Sequence, residues 1–383
     1  MTNAVYITEI AAFLPNEAIN NSEIEDALGY INGTKSRAKS LILRSNGIKN
    51  RYYAIDRESG VLRYTNAQMT AEAIRGLAST NFKLNDIDCI SCGTSSPDQL
   101  APGHGVMVHG ELGTPACEVN TSSGICAAGI TALKFAYLEV LCGGAKNAVA
   151  SGSELVSSFM LAKNFKKESE SKLKELEQRP EIAFEKDFLR WMLSDGAGAV
   201  LLQDSPNTNG PSLRIEWIEI LSQAGSYETC MYGGAIKRED GTLQGWREFD
   251  TLDEVVEESV LTVKQDVKLL NDNIVSATVE QVLPGIMEKH GLSAEDIDYF
   301  LPHMSSEYFR PRLAKGLENI GYAIPQEKWF TNLSEKGNVG SASIYIMLEE
   351  LFHSGRLKAG EKILCFVPES GRFSTSFTLL TVV

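Results

Sequence analysis

Two segments of this chain repeat each other about 210 residues apart, and that repeat limits the fold more than any other feature. Asp86-Ile87-Asp88-Cys89-Ile90 returns as Asp296-Ile297-Asp298-Tyr299-Phe300, an offset of 296 − 86 = 210. Each copy follows a helical stretch and enters an apolar strand ending in a serine-bearing loop, Gly93-Thr94-Ser95-Ser96 in one case and His303-Met304-Ser305-Ser306 in the other. A helix predicted from Cys126 to Cys142 has a counterpart from Asn338 to Phe352, with Asn338 standing where Cys126 stands, at 338 − 126 = 212. Each helix is followed by Gly, Lys and an apolar strand: Gly144-Ala145-Lys146 before Asn147 to Ala150, and Gly360-Glu361-Lys362 before Ile363 to Val367. Self-similarity at a fixed offset reports repeated structure. The expectation is a duplicated fold, with a first half over 1–205 and a second over 212–383, joined by the Pro-, Asn- and Gly-bearing link Pro206 to Pro211. Two like halves packed about a pseudo-twofold would bring both helix starts and the His303 loop to one place.

Strands alternating with helices predict an α/β protein. Val5 to Leu14 reads as a strand stopped by Pro15, Thr65 to Ala78 as a helix, and Asp88 to Gly93 as a buried strand. Ala148 to Ser153 reads as a strand into a turn, and Ser194 to Leu202 as a Gly-rich entry to another buried strand. Ser22-Glu23-Ile24-Glu25 has the form of a capping box opening a short helix. Leu252 to Gly285 reads as one long helical stretch. Between 163 and 190 the composition turns to Lys, Glu, Gln and Ser at helical spacing, which predicts a solvated helical insertion.

The 383 residues carry a net charge of −14 without a basic run, so nucleic acid is not the expected partner. There is neither a basic n-region with an apolar core at the start nor an uninterrupted apolar run of about 18 residues, so neither a signal peptide nor a membrane span is expected. Seven scattered cysteines suit a reduced, cytoplasmic chain better than a disulfide scaffold. Cys89 and Cys92 lie three apart on a predicted strand and so face opposite sides, and His104 and His109 are five apart; neither pair suggests a metal, and no cofactor is expected.

The chemistry gathers at the duplicated positions. Asn120 to Gly124 is a polar turn breaking into an apolar run in which Lys134 is the one charge before Glu139, the pattern of a buried helix. Cys126 sits in its first turn among small residues. Unpaired N–H groups and the positive dipole end at a helix start favour thiolate, the nucleophilic form; considered alone, Cys126 would equally suit a buried structural cysteine. His303 follows Leu301-Pro302 at a strand end, and Asn338 lies in Gly337-Asn338-Val339-Gly340. A thiolate that takes an acyl group, with two neutral donors aimed at the oxygen of an enolate, is a set suited to thioester condensation. Such donors lower a barrier by roughly 3 kcal/mol.

On these residues the chain resembles the thiolase superfamily, and within it the ketoacyl-ACP synthase III group. Cys126-Ala127-Ala128-Gly129 with Ala132-Leu133 matches the nucleophile turn, Pro302-His303 and Gly337-Asn338 the His and Asn motifs, and Asp195 to Val200 the strand closing the first half. The resemblance implies a five-layer αβαβα fold, a homodimer, and Claisen-type condensation of acyl thioesters delivered by CoA or acyl carrier protein. It implies catalytic roles for Cys126, His303 and Asn338, with the backbone N–H groups of Cys126 and Gly371 as oxyanion donors. Arg44, with Gly47-Ile48 and Arg51, resembles the family's entrance segment with one residue inserted; Arg51, Arg310 and Arg312 join Arg44 as candidate substrate or carrier contacts, and Lys163, Lys166, Lys167 and Arg190 could extend that dock.

The departures are specific. The family's Gly-rich C-terminal loop is here Pro368-Glu369-Ser370-Gly371-Arg372-Phe373, with one glycine left, and Tyr308 stands where the family has Arg. Together with Ala11 to Glu17 and Ile48 to Ile55, they resemble the DarB-type ketosynthases that join a 3-oxoacyl thioester to an α,β-unsaturated one to make the cyclohexanedione precursors of dialkylresorcinols. The alternatives are a fatty-acid-initiating synthase III that uses malonyl-ACP, a non-condensing acyltransferase, or a silent carrier-binding partner subunit. HMG-CoA synthase is disfavoured because no glutamate stands in a matching motif.

Overall fold

The computed structural model describes residues 4–36, 39–165 and 189–383. Most of the proposed insertion, 166–188, lies outside them. Nine strands form one sheet: β1 (Tyr6–Phe13), β2 (Cys89–Thr94), β3 (Glu118–Ser123), β4 (Asn147–Glu154), β5 (Gly196–Gln203), β6 (Leu213–Ser222), β7 (Tyr299–Pro302), β8 (Lys362–Glu369) and β9 (Ser374–Val382). Their spatial order is β7-β8-β9-β6-β1-β5-β4-β2-β3. Outward from the β1–β6 seam, the two flanks pair alike. β1–β5 and β5–β4 are antiparallel and β4–β2 parallel; β6–β9 and β9–β8 are antiparallel and β8–β7 parallel. The repeat legible in the sequence is therefore a repeat of sheet topology, in an α/β fold of the thiolase type.

Helices occupy three zones. α1 (Asn66–Arg75) and α2 (His104–Leu112) cover one outer face, with Met69, Ala73 and Ile74 in its core. α3 (Ala128–Leu141) and the C-terminal α7 (Ser343–Phe352) share a central core in which Ile130, Leu133 and Ala136 meet Ile344, Tyr345 and Leu348. α4 (Val267–Val275), α5 (Leu283–His290) and α6 (Arg310–Asn319) lie in the other half, and Leu283, Ile286, Leu313 and Leu317 build its outer core. β2, β4 and β5 are buried almost throughout, as expected for strands covered on both faces.

Glycines let the central helices touch the sheet. Gly93, Gly152 and Gly198 are direct cross-strand neighbours on β2, β4 and β5. A Cβ on Gly93 would stand 2.2 Å from the Ala128 carbonyl oxygen, one on Gly152 2.3 Å from that of Ser341, and one on Gly198 2.4 Å from Tyr345 Cβ. Only hydrogen fits there.

Three sequence expectations need correction. The capping box at Ser22 is not formed. Asn20 accepts from the Ser22 N–H while Glu23 accepts from the Asn20 N–H, so the reciprocal pair sits two residues earlier. A full box caps α1 instead, between Thr65 and Gln68. Leu252 to Gly285 is not one helix: a short helix Leu252–Glu257 gives way to a strand, Lys264–Gln265, then to α4 capped by Asp266 and a π turn at Ser276–Glu280. Leu252, Val256 and Leu261 are exposed there, while Val255 and Val260 are buried. α3 is buried along one face only, since Leu138 on its other side is 42% exposed. Among the described residues no helix is long and apolar enough to cross a membrane.

Candidate active site

Cys126 lies two residues before α3, in a turn closed by the Ala128 N–H on the Ile125 carbonyl. β7 ends at Pro302 and delivers His303, whose N–H is held by the Phe366 carbonyl of β8 at 2.8 Å. Both side chains line one narrow cavity of about 50 Å³. Its other walls are chiefly apolar: Leu270, Ile274, Val275 and Val279 from α4 and the π turn, Leu313 from α6, and Phe309 and Phe366. Met304, Ser305, Pro368 and Ser370 also line it. π turns occur often at functional sites, and this one puts Thr278 and Val279 into the cavity.

Asn338 is buried but is not among the lining residues. Its backbone pairs with 192–194: Asn338 N–H donates to Met192 O, and Ser194 N–H to Asn338 O. Its Oδ1 accepts from Gly340 N–H at 2.9 Å, which leaves the amide's NH2 end as the donor face. Three residues on, the Ser341 carbonyl is packed on Gly129 of α3, and Tyr345 Oη donates to the Gly129 carbonyl at 2.7 Å. The loop bearing Asn338 is thus seated on the turn bearing Cys126.

The electrostatics correct one expectation. The helix start was to favour thiolate at Cys126, yet its thiol is pushed well above the usual range, first by burial and then by Glu369 and Glu154. Desolvation outweighs the dipole here. His303, also enclosed, is lowered to about 4 by burial, so its imidazole is neutral at pH 7. A neutral imidazole can donate one N–H and accept at the other nitrogen.

Other candidates fall elsewhere. Gly371 N–H is not a free oxyanion donor: it donates to Glu369 Oε1 at 2.6 Å. Arg51 is no entrance residue. It is fully buried and donates to Asn21 Oδ1 at 2.7 Å and Trp191 O at 2.9 Å. Arg190 is likewise buried, on the carbonyls of Met160 and Gly29, which removes it from any dock; Lys166 and Lys167 lie outside the described residues. Arg44 is exposed. Arg310 pairs with Glu307 at 2.5 Å and lies over Trp329. Arg312 lies over Tyr308 and donates to Asn271 O on α4, next to the cavity wall. Two functional candidates escaped the sequence reading, the buried acids Glu154 and Glu369. The signal for Glu369 was an acid in a glycine's place; for Glu154, on β4, there was none.

The family model for the C-terminal part of 3-oxoacyl-[acyl-carrier-protein] synthase III matches residues 287–376, the segment holding both His303 and Asn338. The beta-ketoacyl-[acyl-carrier-protein] synthase III of Roseobacter denitrificans is 26% identical over 369 residues, 95% of each chain. That of Clostridium perfringens is 24% identical over 353 residues, covering 92% of this chain and 91% of the relative. These likenesses all point to the ketoacyl-ACP synthase III group of the thiolase superfamily. The chain is an acyltransferase of the β-ketoacyl synthase type. Solved synthase III-like structures superpose along their whole length. AbyA1, a tetronic acid condensing enzyme, does so with a TM-score of 0.73 at 20% identity, over 98% of this chain and 99% of that one. Xanthomonas campestris OleA with bound lauric acid and lauroyl-CoA gives 0.70 at 20% identity, over 100% of both chains.

Proposed function

We propose that this synthase III relative condenses a 3-oxoacyl thioester with an α,β-unsaturated acyl thioester through an acyl-Cys126 intermediate, giving a cyclohexanedione. The carrying observation is that Cys126 and His303 open onto one apolar cavity. Transfer from CoA or acyl carrier protein forms the Cys126–acyl bond, and the incoming thiol's proton leaves with the departing thiolate. The second thioester then presents its carbonyl oxygen to donors from neutral His303 and from Asn338 Nδ2, which hold the enolate charge. Carbon–carbon bond formation breaks the acyl–sulfur bond, and the released Cys126 thiolate takes up a proton equivalent to the one lost from the α-carbon. A Michael addition between the same two chains closes the ring. The lauroyl-CoA bound by OleA supports CoA thioesters as substrates of this fold. The choice of substrate pair rests on the resemblance of Ala11 to Glu17, Ile48 to Ile55 and the altered 368–373 loop. Two halves, 1–205 and 212–383, and a homodimer belong to the same reading.

The test is intact-mass detection of an acyl adduct after incubation with acyl thioesters, followed by product masses from paired 3-oxoacyl and enoyl thioesters. Cys126→Ala abolishes the adduct. An adduct that survives this change overturns the nucleophile, and linear 3-oxo products formed only from a malonyl thioester return the enzyme to fatty-acid initiation.

A further inference from the structure

An acyl chain carried on Cys126 is hydrocarbon and lies best against hydrocarbon. The cavity beside Cys126 is walled chiefly by aliphatic and aromatic side chains, and the Thr278 hydroxyl in it is already engaged, donating to the Ile274 carbonyl at 2.5 Å. Such walls suit methylenes better than an amide-bearing carrier arm, whose polar groups would lie unpaired there. One wall residue, Val275, ends α4 just before the π turn. α6 packs against it from behind. Leu313 of α6 lines the cavity, and Gly316, three residues on and so on the same helix face, abuts Val275. A Cβ on Gly316 would stand 2.3 Å from Val275 Cγ1 and 3.7 Å from Glu280 Oε1. Asn319, at the end of α6, donates to that same Glu280 oxygen at 2.9 Å and ties the helix to the π turn. Gly316 is buried in mid-helix without a positive φ, so no backbone turn requires it. A glycine there weakens the helix relative to alanine; what it permits is the close approach of α6 to Val275.

We propose that Gly316 is a specificity-determining residue for the acyl chain: having no side chain, it lets Val275 stand back from the cavity and so admits chains that a methyl at that position would exclude. This rests on the acyl-Cys126 intermediate proposed above. Carbon atoms in contact lie about 3.5–4.0 Å apart, so a methyl on Gly316 forces Val275 and α6 apart by roughly 1.2–1.7 Å. α6 is held by Leu313 and Leu317 in the outer core and by Asn319 on Glu280. Valine is stiff at χ1 and does not swing aside. The open space lies on its other side, in the cavity, and Val275 moves that way. Each acyl methylene that loses its place there weakens binding about fourfold.

The experiment follows the rate of Cys126 adduct formation by intact mass, with acetyl-, hexanoyl- and decanoyl-CoA as probes. Gly316→Ala is expected to react with acetyl-CoA within about twofold of wild type, and with decanoyl-CoA at least about tenfold more slowly, two or more methylenes having lost their place. Gly316→Ala/Val275→Ala is expected to recover the decanoyl rate, because the smaller wall residue makes room for the added methyl. Val275→Leu thickens the same wall without touching α6 and is expected to show the same length-dependent loss, which keeps the test decisive if Gly316→Ala does not fold. An unchanged decanoyl rate in Gly316→Ala or Val275→Leu, equal slowing with all three probes, or no recovery in the double variant overturns the proposal and leaves the acyl-Cys126 reading intact. Wild type that forms no adduct with any of the probes overturns both.

Discussion

Gly129→Ala tests whether the loops bearing Cys126 and Asn338 depend on direct contact of the central helices. A Cβ at 129 would sit 2.4 Å from the Ser341 carbonyl oxygen and 3.0 Å from Tyr345 Cε2. An ordinary carbon–oxygen contact is about 3.3 Å, so the pair must part by roughly 0.9 Å. Ser341 has little freedom to yield, because its N–H is on Glu154 and its Oγ donates to the Ser153 carbonyl at 3.1 Å. Overpacking of this kind costs about 1–3 kcal/mol, and the better helix propensity of alanine returns up to about 1. The net loss is about 1–2 kcal/mol, or a few degrees in Tm. The catalytic effect is larger than the stability effect. Moving the Asn338 loop off the Cys126 turn by about 1 Å is expected to slow condensation about 100-fold, while the Cys126 adduct still forms. Thermal denaturation, adduct formation by intact mass and product formation check the three parts. A variant that condenses within threefold of wild type at unchanged Tm refutes the argument that this contact sets the geometry.

Two further outcomes follow from groups outside the cavity. His104 is buried, meets Thr70 Oγ1 and Ser153 Oγ, and is lowered to about 4 by desolvation. Its contribution to stability is therefore complete above pH 6.5 and is lost as pH falls toward 4; between pH 7 and 5 this amounts to about 2 kcal/mol, so His104→Gln should lose less Tm than wild type over that interval, and parallel Tm–pH curves would refute the assignment. Arg51→Lys cannot reproduce the buried fork on Asn21 and Trp191, so it should lower stability by about 2–3 kcal/mol with KM unchanged; a raised KM at wild-type Tm would return Arg51 to the entrance.

The repeat was readable because topology copies itself into element order even where side chains diverge: Asp86-Ile87-Asp88 and Asp296-Ile297-Asp298 open equivalent strands, β2 and β7. Cys126 and His303 were legible for the same reason, each at the start or end of a duplicated element. Asn338 was legible as a loop position, but its amide is oriented by a Gly340 N–H that only the folded turn reveals. Arg51 misled because an arginine in an entrance-like segment looks the same in sequence whether its fork meets solvent or the Trp191 carbonyl. Gly371 misled because its N–H partner is the side chain of the acid two residues earlier. Leu252 to Gly285 misled because a positive φ at Ser259 interrupts the run with no glycine to announce it.

The stripe of Gly93, Gly152 and Gly198 sets how closely α3 and the α7 segment lie on the sheet, with no room for a side chain between them. A side chain added at any of the three would meet main chain or Tyr345 at once. The opposite bank of the cavity is different in kind, being built from the side chains of Leu270, Ile274, Val275 and Val279 rather than from bare backbone.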